Sequence, residues 1–287
     1  MKNYLFLAIM LLSLVKAEAQ TLDVGIGVGG ALYWGDLNAP SFGTNVGNTR
    51  PAVQLVGNMG FSDYVSVRAG LLYGRLQGAD RKSTRPWQQT RNLDFTSPLL
   101  ELSLLTEIHV FGYNSLQESF FSPYVALGLT GFYFNPSTVY QGVSYELQPL
   151  GTEGQGLPGF ADPYSTISGA LLFGAGSKFK LSESVTVAVD ILARRTFTDY
   201  IDDLSTDYVS YPELAAGNGE IAARLGNRMG EFLGQEEPVI LETGTQRGGD
   251  TVSDYIFTGM VTFYINFTQN AGGGLFRGGN KVECPTF

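Results

Sequence analysis

The sequence predicts an all-β fold: an eight-stranded antiparallel transmembrane outer-membrane β-barrel with a filled lumen, short periplasmic turns and long extracellular loops. Three observations predict it. Eight long segments alternate apolar residues with polar or small ones, the period of a strand with two unlike faces. The connections between them alternate strictly between short and long. Charged residues make up only 16% of the chain, against a globular norm of about 25%, so something other than bulk water covers part of the surface.

The chain opens with Lys2, an apolar run from Tyr4 to Val15 and the small-residue site Ala17-Glu18-Ala19, the pattern of a secretory signal peptide cut after Ala19. No cysteine lies at the cut, which excludes a lipoprotein. Three regions follow: 1–19 signal peptide, 20–267 outer-membrane β-barrel, 268–287 periplasmic C-terminal tail. Beyond the signal peptide no run approaches the roughly 18 apolar residues of a membrane helix. The mature chain therefore enters a membrane as strands, and as a closed barrel, because lipid offers no partner for a sheet edge.

The predicted strands are Asp23 to Gly35, Pro51 to Phe61, Val65 to Leu76, Asp94 to Val110, Pro123 to Phe134, Ser168 to Leu181, Val185 to Phe197 and Asp254 to Phe267. In the third, Val65, Val67, Ala69, Leu71 and Tyr73 form the lipid-facing row, opposite Ser66, Arg68, Gly70 and Gly74. In the fourth, Leu100, Leu102, Leu104, Ile108 and Val110 oppose Glu101, Ser103, Glu107 and His109. The seventh sets Val185, Val187, Val189 and Ile191 against Thr186, Ala188, Asp190 and Arg194. Eight strands leave a lumen just wide enough for side chains to fill. Arg68, Glu101, Glu107, Asp190 and Arg194 are predicted to pair there, with inward glycines such as Gly70, Gly128, Gly174 and Gly176 making room. Trp34, Tyr73, Phe95, Tyr133, Phe179, Phe197, Tyr255 and Phe267, near strand ends, are expected to form interfacial girdles.

Turns and loops follow from the connections. Ser62 to Tyr64, Phe111 to Ser122 and Ser182 to Ser184 are the short ones. The long ones are Asp36 to Arg50, Gln77 to Leu93, Asn135 to Ile167 and Thr198 to Ser253. This parity places both chain ends in the periplasm. In the last loop, Leu214, Ile221, Leu225, Met229 and Phe232 recur at roughly helical spacing, consistent with a short helix over the barrel mouth or against a partner.

Catalytic chemistry finds little support. His109, the one histidine, is expected on the lumen face near the periplasmic rim, the wrong end for a hydrolase of external substrates, with no nucleophile motif beside it. Asp199, Asp202, Asp203 and Asp207 lack the glycine and terminal glutamate of a calcium loop; a solvated face, or pairing with Arg194 and Arg195, is expected. The run Pro149 to Gly159 has no Lys-Ser/Thr and no following helix, so it reads as a turn-forming loop and not a phosphate cradle. No cofactor or metal is expected. A net charge of -9 argues against nucleic acid. The single cysteine, Cys284, is either a capped thiol in a terminal tail or the site of an intermolecular disulfide.

Five strings, in this order, carry a family resemblance: LYWGDLN (Leu32 to Asn38), SPYVALGLTGFYFNP (Ser122 to Pro136), LQPLGTEGQG (Leu147 to Gly156), RRTFTDYIDDLSTDYV (Arg194 to Val209) and RGGDTVSDYIF (Arg247 to Phe257). Together they resemble the PorG family, small outer-membrane barrels of Bacteroidetes belonging to the type IX secretion and gliding machinery. The resemblance implies a non-enzymatic barrel that contacts the periplasmic ring built by the lipoprotein PorK and its partner PorN. On that implication the tail becomes the partner-facing device: Cys284 is placed to bridge a ring subunit, and Leu275, Phe276 and Arg277 to dock by packing. The extracellular strings would then meet the translocon or other surface proteins. Two rival expectations are a barrel hydrolase of the outer membrane and a stand-alone adhesin or structural barrel.

Overall fold

The computed structural model describes residues 21–37, 46–112, 120–182, 184–249 and 253–267. The expected signal peptide and the tail with Leu275, Phe276, Arg277 and Cys284 lie outside the described residues.

The eight expected strands are all present, their ends displaced by at most three residues: β1 Thr21–Trp34, β2 Arg50–Gly60, β3 Val65–Ala79, β4 Asp94–His109, β5 Phe121–Phe134, β6 Ile167–Lys180, β7 Val185–Thr196 and β8 Tyr255–Asn266. Every neighbouring pair is antiparallel. The ring closes on itself. β1 pairs β8 from Asp23↔Asn266 to Trp34↔Tyr255, and β3, β4 and β5 continue the wall through Val65↔Ile108 and Leu99↔Phe134 to β6 and β7. With β7 paired to β8 and β1 to β2 to β3, no barrel strand keeps an open edge.

Burial alternates along each strand because successive side chains point to opposite faces. On β3 the row Ala69, Leu71, Tyr73 is exposed while Arg68, Gly70, Leu72 and Gly74 are buried. The exposed row runs around the wall: Leu102 and Ile191 are each 68% exposed, joined by Ile26, Leu55, Leu127 and Phe263. An apolar belt of that extent is stable only against acyl chains or another protein surface. Strands of this length, tilted as barrels require, match a hydrocarbon core about 30 Å thick. Gly128 and Gly174 are needed where neighbouring strands approach closely: an added Cβ would lie 2.2 Å from the carbonyl oxygen of Leu104 and of Ile191, respectively.

Phe95 departs from the expected girdle. It occupies the inward row of β4, is 1% exposed, and meets Tyr33 edge-on at 4.9 Å. Its place beside the strand end misled; its parity with Ser97, Leu99 and Glu101 decides. Trp34, Tyr73, Tyr133, Phe197, Tyr255 and Phe267 keep to the outer face.

The loop end is folded, where the sequence predicts mostly loops. A hairpin, 137–140 with 143–146, extends β4 through Thr96↔Ser137. Helix α1, Pro86–Arg91, lies between β3 and β4, and three short helices fill the last loop: α2 Tyr211–Gly217, α3 Glu220–Gly226 and α4 Met229–Phe232. The helical spacing of Leu214 to Phe232 was thus a real signal. Glycine divides it: Gly219, at φ 96°, turns the chain between α2 and α3. Positive φ at Gly151, Gly154, Gly156 and Gly159 makes the expected turns of the 149–159 segment. Val209, Leu214, Ala222 and Ala223 form a small core of the cap itself. A larger cluster binds cap to barrel, joining Leu37, Leu147, Ile201, Leu204 and Leu225 to Tyr33, Leu72, Leu76, Phe95, Leu99 and Ile256.

Candidate functional site: the filled lumen and the loop cap

The lumen is occupied by two charged layers below an apolar plug. In the layer nearer the turns, Arg68 reaches Asp190 at 2.8 Å and Glu107 at 3.2 Å. Lys178 Nζ donates to Glu107 Oε2 at 2.6 Å, and Tyr124 donates to Asp190 at 2.9 Å. Asn58 and Ser66 also donate to Glu107 Oε2, at 2.8 and 2.9 Å. Nearer the loops, Arg194 forks onto Glu101, Nε at 2.5 Å and Nη2 at 2.9 Å, while its Nη1 donates to Thr258 at 2.8 Å. The structure therefore brings Arg68 together with Glu107 and Asp190, and Arg194 with Glu101, as two separate groups. Each of these side chains is at most 2% exposed. Buried charges persist only when paired and hydrogen-bonded; each charge here is paired, while Arg68 Nη2 and Asp190 Oδ1 are buried without a hydrogen bond.

Lys178, Tyr124 and Tyr264 were missed in the sequence. The signal for Lys178 was available, since it continues the inward row Leu172, Gly174, Gly176 of β6, where a charge needs a partner. Tyr124 and Tyr264 gave none, because an aromatic residue on a strand suits either face.

His109 faces the lumen, 1% exposed, its Nε2 3.1 Å from Ser66 Oγ and 3.5 Å from Glu107 Oε2. Ser122 Oγ lies 3.4 Å from the other ring nitrogen. Serine, histidine and glutamate are thus neighbours although no sequence motif announces them. Ser66, Glu107 and Ser122 are as deeply buried as the imidazole, so no substrate reaches them in this structure. The group ties β3, β4 and β5 together at the turn end.

The cap holds its own charged network, and here two sequence expectations are overturned. Asp202 and Asp203 are 1% and 0% exposed, not a solvated face, and their partners are not Arg194 or Arg195. Tyr33 Oη lies 2.5 Å from Asp202 Oδ2 and 2.9 Å from Asp254 Oδ1. One phenol carries one proton, so both contacts are hydrogen bonds only when one carboxyl is protonated. Burial raises Asp202 well above the usual carboxylate range, with Asp36 adding to it; Asp254 is raised likewise, by burial, then by Asp202 and Asp199. Asp203 accepts from Thr152 at 2.5 Å and Tyr164 at 2.7 Å. Burial pushes it up to about 6 against the pull of nearby Arg247.

Arg247 is the hub of the cap. Burial alone would lower it, yet Glu153 and Asp203 hold its guanidinium above the ordinary range. It donates to Glu153 Oε1 at 2.8 Å and to the carbonyls of Asp203 and Gly226 at 2.7 and 3.0 Å. Glu153 in turn accepts from the backbone of Ser205 and Thr206. Arg91 forks onto Asp80, both bonds 2.8 Å, and donates to the carbonyl of Arg247 at 2.7 Å. Arg91 Nη2 also donates to the carbonyl of Asp36 at 3.1 Å, so all four long loops are tied into one lid. Among the described residues no cluster of His, Cys, Asp and Glu is arranged to hold a metal ion.

No curated protein matches this sequence. Among solved structures, the chain is similar to Ail, the attachment invasion locus protein of Yersinia pestis, at 10% identity, covering 86% of this chain and 98% of that one with a TM-score of 0.40. Neisserial surface protein A (NspA) gives 10% identity, 86% and 97% coverage and 0.40. The outer membrane protease OmpT from Escherichia coli gives 8%, 87% and 98%, and 0.35. At such identities and scores nothing about activity follows, and the barrel stands on its own hydrogen-bonded ring. A family match does cover most of the chain: residues 2–222 match the family described as "Domain of unknown function (DUF6089)", and the protein belongs to it.

Proposed function

We propose that this protein is a non-enzymatic, non-conducting outer-membrane barrel that serves as an anchoring component of the type IX secretion and gliding machinery. The observation that carries the anchoring part is the sealed lumen. Arg68, Glu107, Asp190 and Lys178 are buried across it, and the folded lid covers the loop end, so among the described residues the charged groups of the lumen are closed off from solvent. What is left for such a barrel is to hold a position in the membrane and present its two ends to partners.

The finer reading rests on the resemblance of the five strings to the PorG family. Three of its buried anchors fall inside those strings: Glu153 in LQPLGTEGQG, Asp203 in RRTFTDYIDDLSTDYV and Arg247 in RGGDTVSDYIF. In this reading both termini lie in the periplasm. The tail carrying Leu275, Phe276, Arg277 and Cys284 meets the PorK and PorN ring, with Cys284 forming an intermolecular disulfide.

Affinity purification from native membranes tests it. Ring lipoproteins are expected to copurify, and deletion of the gene is expected to abolish cargo secretion. A heavier, reductant-sensitive species should vanish in Cys284→Ser. Unchanged secretion in the deletion strain would refute the machine role and leave a stand-alone barrel; activity lost in His109→Ala would point to a hydrolase.

A further inference from the structure

On the outer wall at the loop end, β2, β3, β4 and the 137–146 hairpin surround a cleft of about 730 Å³. In a chain of net charge -9, its lining gathers Arg50, Arg75, Arg81 and Lys82 against a single carboxylate, Asp94. That carboxylate is already engaged by Arg81 at 2.5 Å and Arg228 at 3.0 Å. Among the described residues Arg50, Arg75 and Lys82 have no ion-pair partner; Arg50 donates to Gln77, and Lys82 to Asn48 at 2.5 Å. Lys82 is held below the ordinary lysine range, by burial first and then by Arg50 and Arg81, so like charges crowd one another here.

The position of the cleft says what would relieve that crowding. Arg75 is the next outward residue after Leu71 and Tyr73 on β3, about 7 Å beyond the tyrosine, and pairs in register with Pro98. Leu71 and Tyr73 are exposed on the apolar belt, and Leu100 lies opposite Tyr73 on β4. The guanidinium groups therefore begin where the belt ends, at the level of lipid headgroups, with Tyr73 and Val139 as apolar lining below and beside them. Guanidinium matches phosphate oxygens two at a time.

We propose that this cleft binds the phosphate groups of a lipid headgroup in the membrane leaflet at the loop end. The proposal rests on the outer-membrane reading of the barrel. A lipid is favoured over free phosphate because the apolar lining is continuous with the belt, which gives acyl chains a surface and a soluble anion none.

Full-length protein folded in detergent micelles is titrated with bisphosphorylated lipid A, its dephosphorylated form and inorganic pyrophosphate. Wild type is expected to bind the bisphosphorylated lipid at least about tenfold more tightly than the dephosphorylated one, with affinity falling as salt rises. R50Q/R75Q/R81Q is expected to lose about tenfold, and R50K/R75K/R81K to fall between that variant and wild type, because lysine keeps the charge without the bidentate fork. Equal binding of the two lipids, or by the glutamine variant in its folded, heat-modifiable form, overturns the site. Pyrophosphate competing at lipid concentrations overturns the lipid as its source. Should the glutamine variant not fold, the two lipids on wild type and the lysine variant still decide. Fractionation of native cells separates the two readings, since a chain found outside the outer membrane removes the proposed function whatever the micelle titration gives.

Discussion

The barrel wall and the loop cap solve the same problem, burying charge, in opposite ways. In the wall, each lumen charge projects from a rigid strand, and register alone brings partners from different strands together, as Arg68 meets Asp190 and Arg194 meets Glu101. In the cap the ladders are short, the 137–146 hairpin and the pairs Asp207↔Gln246 and Tyr208↔Thr245, and they set register over only a few residues. Side chains knit the backbone instead: Arg247 holds the carbonyls of Asp203 and Gly226, and Glu153 holds the amides of Ser205 and Thr206. Charges in the wall are consequences of the fold, whereas charges in the cap are among its causes.

That contrast can be broken first at Glu107, which serves Arg68, Lys178, Asn58 and Ser66 at once. Glu107→Leu removes the carboxylate that Lys178 and Arg68 share, leaving Arg68 with Asp190 alone, and is expected to destabilise the whole barrel by about 3–5 kcal/mol, read as a lower denaturant midpoint for loss of heat-modifiable migration. Arg247→Met should be nearly as costly, on the order of 3 kcal/mol, but confined to the cap. Proteolysis of the loops should accelerate while the barrel midpoint stays at its wild-type value. Loss of the barrel in R247M would mean that cap and wall unfold together.

The pH dependence sharpens the comparison. Asp203 is raised from 3.8 to about 6 in the folded state, so its favourable contribution is complete below its unfolded value and is lost as pH rises through about 6. The rise is equivalent to at most about 3 kcal/mol. The rate at which proteinase K cuts the cap, normalised to an unstructured peptide, is expected to increase from pH 4 to 7, and Asp203→Asn to flatten that increase. A rate falling with pH in wild type would contradict the assignment. Smallest is Gly128→Ala, whose Cβ meets the Leu104 carbonyl at 2.2 Å; about 1–3 kcal/mol of barrel stability should be lost, with cap proteolysis unchanged.

The wall was legible in the sequence because a period of two survives every change of neighbour. Once the valine row of β7 is assigned to the outside, Asp190 and Arg194 have to be inside, whatever they meet there. Phe95 was misassigned when nearness to a strand end was weighed above that parity. The cap was legible only in pieces. The spacing of Leu214 to Phe232 signalled helix, and the glycines of 149–159 signalled turns, but nothing local marks Glu153 and Arg247 as partners across 94 residues. Asp202 and Asp203 read as a solvated acidic face because their burial depends on Tyr33 from β1, Tyr164 from another loop and Arg247 from the far end of their own loop.

The central claim is that the exposed rows of the wall face acyl chains. Nitroxide labels at L102C and I191C, in a Cys284→Ser background and reconstituted in bilayers, test it directly by collision with oxygen and with a polar nickel complex. High oxygen and low nickel accessibility at both positions, with the reverse at V143C in the cap hairpin, is the expected result. Nickel accessibility at Leu102 and Ile191, or protection from both reagents, would show those rows facing water or a second protein layer, and would contradict the account.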